Sequence, residues 1–72
     1  MNISKHIVER LKNTFKQGAR VELLQMNDPY TKIPIGTKGT VILVDDTGTI
    51  FVNWDNGSSL GVVYGEDSCK LI

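Results

Sequence analysis

Apolar residues recur at two different periods along this chain, and the change of period divides it. Ile3, Ile7, Val8, Leu11 and Phe15 are spaced by three or four, filling one arc of a helical wheel, with Lys5, Glu9, Lys12, Asn13 and Lys16 on the other. This pattern predicts an amphipathic helix over residues 1–17. Ser4 can cap it by accepting from a free amide of the first turn, and Gly18 suits the left-handed residue that ends a helix. A helix of about three and a half turns is marginal alone in water, so its stripe needs cover, either from its own chain or from a partner.

From residue 19 the period falls to two. Ala19 to Met26 sets Arg20 and Glu22 against Val21 and Leu23, while Leu24 and Met26 shift phase; this predicts a strand with one buried face and a bulge. The following MNDPYTKIPIG has Pro29 and Pro34, neither with an amide to donate, and reads as an ordered loop. Gly39 to Asp45 predicts a second strand with Val41 and Leu43 on one face and Ile42 and Val44 on the other, so both faces need some cover, for which the helix is the obvious source. In VDDTGTIFVNWDNGSSL, Ile50, Val52 and Trp54 share a face between two turn signatures, Asp46-Thr47-Gly48 and Asn56-Gly57. Strands over Thr49 to Asp55 and Ser58 to Tyr64 follow, then a turn at Gly65 to Ser68, and a last strand from Cys69 to Ile72.

Five short strands with one long first loop can hide their edges by curling into a small closed barrel. The expected fold is therefore mainly β, a single domain over 1–72, with the helix in 1–17 and a five-stranded barrel in 18–72.

Size and composition narrow the function. A chain of 72 residues forms one core, and domains this small bury only about 60% of the surface their unfolded chain exposes. With Cys69 the sole cysteine there is no intramolecular disulfide, which favours a reducing compartment. No apolar run approaches the roughly 20 residues of a membrane span, and the N-terminus lacks a signal-peptide core; a cytoplasmic location is the expectation. Asn56-Gly57-Ser58 is a glycosylation sequon only in a secreted setting, so the turn reading of Asn-Gly takes precedence. Net charge is formally zero, yet the signs separate. Lys5, Arg10, Lys12, Lys16 and Arg20 face only Glu9 in the helical part, whereas Glu22, Asp28, Asp45, Asp46, Asp55, Glu66 and Asp67 outnumber Lys32, Lys38 and Lys70 in the rest. Such asymmetry fits self-association, docking of helix on barrel, or a nucleic-acid footprint.

The segments IPIGTKGTV and VDDTGTIFVNWDNGSSL resemble the Src-homology-3-like small barrels, in which a glycine-rich entry to the second strand and a Trp-Asp-x-Gly hairpin recur. Within them, GTKGTV resembles the motif of ribosomal and transcription-elongation factors that binds RNA or protein. More extensively, residues 18–72 are similar to short bacterial and phage proteins grouped as domain of unknown function 4314, through RVELLQMNDPYTKIPIGTKGTV, VDDTGTIFVNWDNGSSLGVV and GEDS. The resemblance departs at Phe51 and Tyr64, where the family pattern carries histidine and proline. It implies a barrel and a mobile-element setting, and carries no catalytic role.

Tests for chemistry point away from an enzyme. His6, the only histidine, falls on the polar side of the helix with no nucleophile beside it. Cys69 precedes a closing strand and reads as a core residue. One histidine and one cysteine make no closed metal site, and the acidic residues lack calcium-loop spacing, so no metal or cofactor is expected. Asp45 and Asp46 are adjacent in an extended segment, point to opposite faces, and suit a turn. Gly36-Thr37-Lys38-Gly39 lacks P-loop spacing and leads into a strand.

Recognition remains. Tyr30, Trp54 and Tyr64 could line one groove with Asp28 and Asp55 at its rim, a setting for proline-rich or basic peptides. Against this, Trp54 shares its face with Ile50 and Val52 and suits the core. A non-enzymatic protein-interaction or accessory module is the first expectation, with a protein partner or self-association through the helix. The alternative is nucleic-acid binding through Lys5, Arg10, Lys12, Lys16, Arg20 and Lys38, without the interleaved aromatics of a single-strand binder. Third comes the helix lying on an anionic membrane, where its narrow, tryptophan-free stripe is a poor anchor.

Overall fold

The computed structural model describes residues 4–27 and 33–72. Helix α1 (Lys5–Thr14) precedes five strands: β1 (Arg20–Gln25), β2 (Lys38–Val44), β3 (Thr49–Trp54), β4 (Ser59–Val63) and β5 (Ser68–Leu71). The chain is thus mainly β. Ile3 of the helical stripe and the candidate residues Asp28 and Tyr30 lie outside the described residues.

α1 starts at its expected cap. Ser4 is extended, and its hydroxyl accepts from the His6 amide at 3.2 Å. The helix stops at Thr14 rather than at residue 17 because the next segment must join the sheet. Phe15 leaves helical geometry at φ −105° and ψ 73° while its N–H still donates to the Leu11 carbonyl at 2.7 Å. Gly18, at φ +90°, then turns the chain so that its N–H donates to the Val41 carbonyl at 2.9 Å. Only glycine takes that φ without strain.

Every ladder is antiparallel, and the strand order is β4-β3-β2-β1-β5. β1 sits between β2 and β5, with Val21 opposite Gly39 on one side and Leu71 on the other. The expected bulge in β1 is present, the register against β5 shifting between Leu23 and Gln25. The expected closure is not made: the sheet is open, with β4 and β5 as its two edges. A single bridge, Tyr64 to Asp67, lies in the turn that joins them. That turn is folded on itself, since the Asp67 carboxylate accepts from the Val63 amide at 3.0 Å and from the Asn27 amide at 2.9 Å. The Val63 amide is thereby bonded to a side chain rather than to a β5 carbonyl.

One face of the sheet is the core. Val21, Leu23, Ile33, Val41, Val44, Ile50, Val52, Trp54 and Val62 form a single buried cluster, and Leu11 of α1 and its C-cap Phe15 pack against it. Each such side chain contributes roughly 1.5–3 kcal/mol on burial. The ion pairs are exposed and contribute little, so apolar burial decides the fold. Gly39 is buried because nothing larger fits: an added Cβ would lie 2.6 Å from Val52 Cγ1 and 2.8 Å from the Asn53 carbonyl oxygen.

Two expectations about β2 are corrected. The register against β3 shifts between Val41 and Leu43, so Val41 and Val44 point inward while Ile42 and Leu43 both point out. Leu43 therefore does not share a face with Val41. Nor does α1 cover the outer face of β2; its Leu11 and the C-cap Phe15 pack on the inner cluster and leave Ile42 and Leu43 exposed.

Candidate functional site

Of the sequence-predicted groove residues, Asp28 and Tyr30 lie outside the described residues, and the other three, Trp54, Asp55 and Tyr64, line no common pocket. Trp54, on the inward register of β3, is 3% exposed, and its indole N–H donates to the Leu60 carbonyl at 3.2 Å. Its one polar atom is therefore occupied and its ring is core. Asp55, one residue on, faces the other way and takes a two-pronged hydrogen bond from Arg20, Nη1 to Oδ1 at 2.8 Å and Nη2 to Oδ2 at 2.5 Å. The same guanidinium donates to Thr40 Oγ1 at 3.0 Å. Hydrogen bonding from Arg20 is the main cause that holds the Asp55 carboxyl below the usual range, with the charges of Arg20 and Lys38 adding to it. So an acidic rim residue of one hypothesis and a basic contact of the other neutralise each other.

Tyr64 is 49% exposed and stands at the rim of a cleft of about 500 Å³ between α1 and the β4–β5 turn. Leu11, Phe15, Ile50, Val62 and Cys69 supply its apolar lining, with Glu66 and Asp67 at the wall. Burial pushes the Cys69 thiol up to about 11, which keeps it protonated and unreactive at neutral pH.

The basic set is also partly spent. Lys12 is 2.7 Å from Asp46, a pair that ties α1 to the β2–β3 turn. Lys5, Arg10 and Lys16 are exposed on and after the helix and take part in none of the three ion pairs among the described residues, although Lys5 shares a shallow pocket with Glu9 and Asp46. In the same turn Asp45 Oδ1 accepts from the Thr47 hydroxyl at 2.6 Å, the Thr47 amide at 2.9 Å and the Thr49 amide at 3.0 Å. The Thr47 hydroxyl bond is the largest cause that lowers its pKa. Asp45 is a turn residue, as its type and position implied.

What sequence reasoning passed over is the outer face of β2, β3 and β4. Leu43 stands opposite Phe51, Phe51 stands opposite Gly61, and Val63 lies two residues further along β4. Leu43 is 48% exposed, Phe51 38% and Val63 38%, with Ile42 beside them. The Phe51 ring lies across Gly61, its Cε1 3.6 Å from where a Cβ would be. Period two does place Phe51 and Val63 outward. Leu43 joins them only through the bulge, which the sequence did not mark.

Among the described residues no group of three His, Cys, Asp or Glu side chains could hold a metal ion, and no helix is long and apolar enough to cross a membrane. The profile of the family described as domain of unknown function (DUF4314) matches residues 4–72. No curated protein matches the chain. The chain belongs to the DUF4314 family.

Proposed function

Starting from that membership, we propose that the domain is a non-catalytic protein-interaction module, built as an open variant of the Src-homology-3-like small barrels and working in the cytoplasm. The observation that carries the reading is the uncharged apolar patch of Leu43, Phe51 and Val63 on the outer face, whose side chains stay 38–48% exposed although the chain has a core to bury them in. Contiguous exposed apolar surface is where docking on a small domain most often occurs, which supports the reading. The barrel variant is supported by the meander β1 to β4 and by β5 returning to the far side of β1. The lone Cys69, protonated and half-buried, suits a reducing compartment.

The test is capture from a lysate of the source organism, with and without nuclease, using the parent chain and Phe51→Asp. The reading expects a protein retained by the parent, lost on Phe51→Asp and indifferent to nuclease. Capture that does not depend on Phe51 would overturn it.

A nucleic-acid reading is favoured by one observation, the exposed Lys5, Arg10 and Lys16, which join none of the ion pairs among the described residues. Pairing of Lys12 and Arg20 reduces that set. Anisotropy of labelled RNA and DNA across a salt series decides it, because phosphate contacts weaken steeply as salt rises.

A further inference from the structure

We infer that the edge of β4 takes up an extended segment of a partner chain as a further strand, and that this segment carries an apolar residue opposite Leu60 and a basic residue toward Glu66 and Asp67. The contact is made by a backbone edge rather than by the outer-face patch, and its test is separate.

The free positions follow from the β3–β4 hairpin. The Trp54 N–H donates to the Ser58 carbonyl at 2.8 Å, and the Tyr64 N–H donates to the Gly48 carbonyl at 3.3 Å. Between these two bonds the register is unbroken. Bonded and non-bonded positions alternate along an antiparallel pair, so Ser58, Leu60, Val62 and Tyr64 turn their backbone groups to β3, while Ser59, Gly61 and Val63 turn theirs to the edge. Val63 is already spent: its N–H donates to Asp67 Oδ2 at 3.0 Å, and its carbonyl accepts from the Glu66 and Asp67 amides at 3.1 and 2.9 Å. Ser59 and Gly61 have no backbone partner among the described residues. The edge thus presents two donors and two acceptors about 7 Å apart, stopped at Val63, which alternate residues of one extended chain satisfy. A helix, its backbone already bonded to itself, satisfies none of them.

This edge differs from the other one. Sheet edges are commonly guarded by charge or proline. β5 carries Lys70, whereas Ser59-Leu60-Gly61-Val62-Val63 has neither. Beside β4 lies a slot of about 410 Å³, bounded by Leu60 and Gly61, by Met26 and Asn27 after β1, and by Glu66 and Asp67 of the turn. Leu60 and Met26 are both half-buried and supply apolar wall for one side chain of the incoming strand. Glu66 and Asp67 join none of the ion pairs among the described residues, so lysine or arginine is the charge that complements that end.

The experiment pans a random heptapeptide display library on the full chain, with Ser59→Pro as counter-target and Ser59→Ala as control, both checked for folding by thermal melt. Proline at this position removes one outward amide and leaves the ladder with β3 intact. Alanine keeps the amide and loses only the hydroxyl bond to Asn53. Selected peptides should bind the parent and Ser59→Ala alike, lose about tenfold or more on Ser59→Pro, and weaken several-fold on Glu66→Gln. In the free chain the Ser59 and Gly61 amides should exchange quickly with solvent, and slow when peptide binds. Peptides held equally by Ser59→Pro, peptides that are helical when bound, or no peptide dependent on the Ser59 amide would each overturn the inference. Slow exchange of those amides in the free monomer would overturn it too, because the edge would then already be covered. A dimer seen by sedimentation and abolished by Ser59→Pro would put the β4 of a second copy in place of the partner. Indifference to Glu66→Gln would strike the basic residue. None of these results bears on capture through Phe51, so the interaction-module reading stands or falls by its own test.

Discussion

Replacing Gly39 with alanine separates a structural from a ligand-binding account of the GTKGTV segment. An alanine Cβ would meet Val52 Cγ1 at 2.6 Å, the Asn53 carbonyl oxygen at 2.8 Å and Trp54 Cε3 at 2.9 Å. A valine methyl can move, but the Asn53 oxygen belongs to β3 and is held by the ladder. Relief therefore requires β2 and β3 to part where Gly39 pairs with Trp54. Overpacking of this kind costs typically ~1–3 kcal/mol, and a backbone obstacle places Gly39→Ala toward the upper end. At 4–8 °C per kcal/mol for a domain this size, ~2–3 kcal/mol lowers Tm by roughly 8–24 °C. Calorimetric melts of the parent and variant measure it. Adding Val52→Ala should not restore the loss, because the carbonyl and indole contacts remain; a double-mutant cycle with large favourable coupling would show the methyl to be the whole obstacle. Gly61→Ala is the internal comparison. Its Cβ collides with a side-chain methyl, Thr49 Cγ2 at 2.5 Å, and Thr49→Ser should recover most of that cost. A Gly39→Ala chain melting within about 2 °C of the parent, well inside ~1 kcal/mol, would refute the steric argument.

Further outcomes follow from the turn, the helix and the cysteine. Asp45 has a depressed folded pKa, so its contribution is present above the unfolded value of about 3.9 and is lost as pH falls through the folded one. Asp45→Asn should therefore flatten the fall of Tm between about pH 5 and pH 2, and an unchanged slope would count against the three hydrogen bonds assigned to that carboxylate. Leu11→Asp places a charge against the core cluster and should cost ~2 kcal/mol or more; a melt like the parent's would mean that α1 does not pack as described. Thiol labelling of Cys69 at neutral pH should be slow in the folded chain and quick in denaturant, since burial holds the thiol pKa at about 11; equal rates would contradict that burial.

Local interactions were legible in the sequence and distant ones were not. Ser4 as a cap, Asp45 as a turn residue and the inward set Ile50, Val52 and Trp54 all follow from contacts or registers spanning a few residues. Leu43 was misplaced because a bulge moves the phase by one without any glycine or proline to mark it. The pairing of Arg20 with Asp55 joins residues 35 positions apart, which charge counting cannot foresee. Closure of the sheet was expected on the general need to protect edges. Instead the β4–β5 turn is held by Asp67, whose reach to Asn27 and Val63 depends on the folded turn. In the candidate site, Phe51 and Val63 could be read outward from period two, whereas their union with Leu43 could not.

The central position of β1, flanked by β2 and by β5, bears on biosynthesis. A nascent chain can zip β2, β3 and β4 as each emerges, yet β1 waits with one side bare until β5, the fifth of these strands in chain order, leaves the ribosome. Until β5 follows, the waiting side accepts any suitable strand, including β5 from a sister molecule. Exchange of that segment between chains is the misassembly this topology invites, and crowded polysomes are where it would begin.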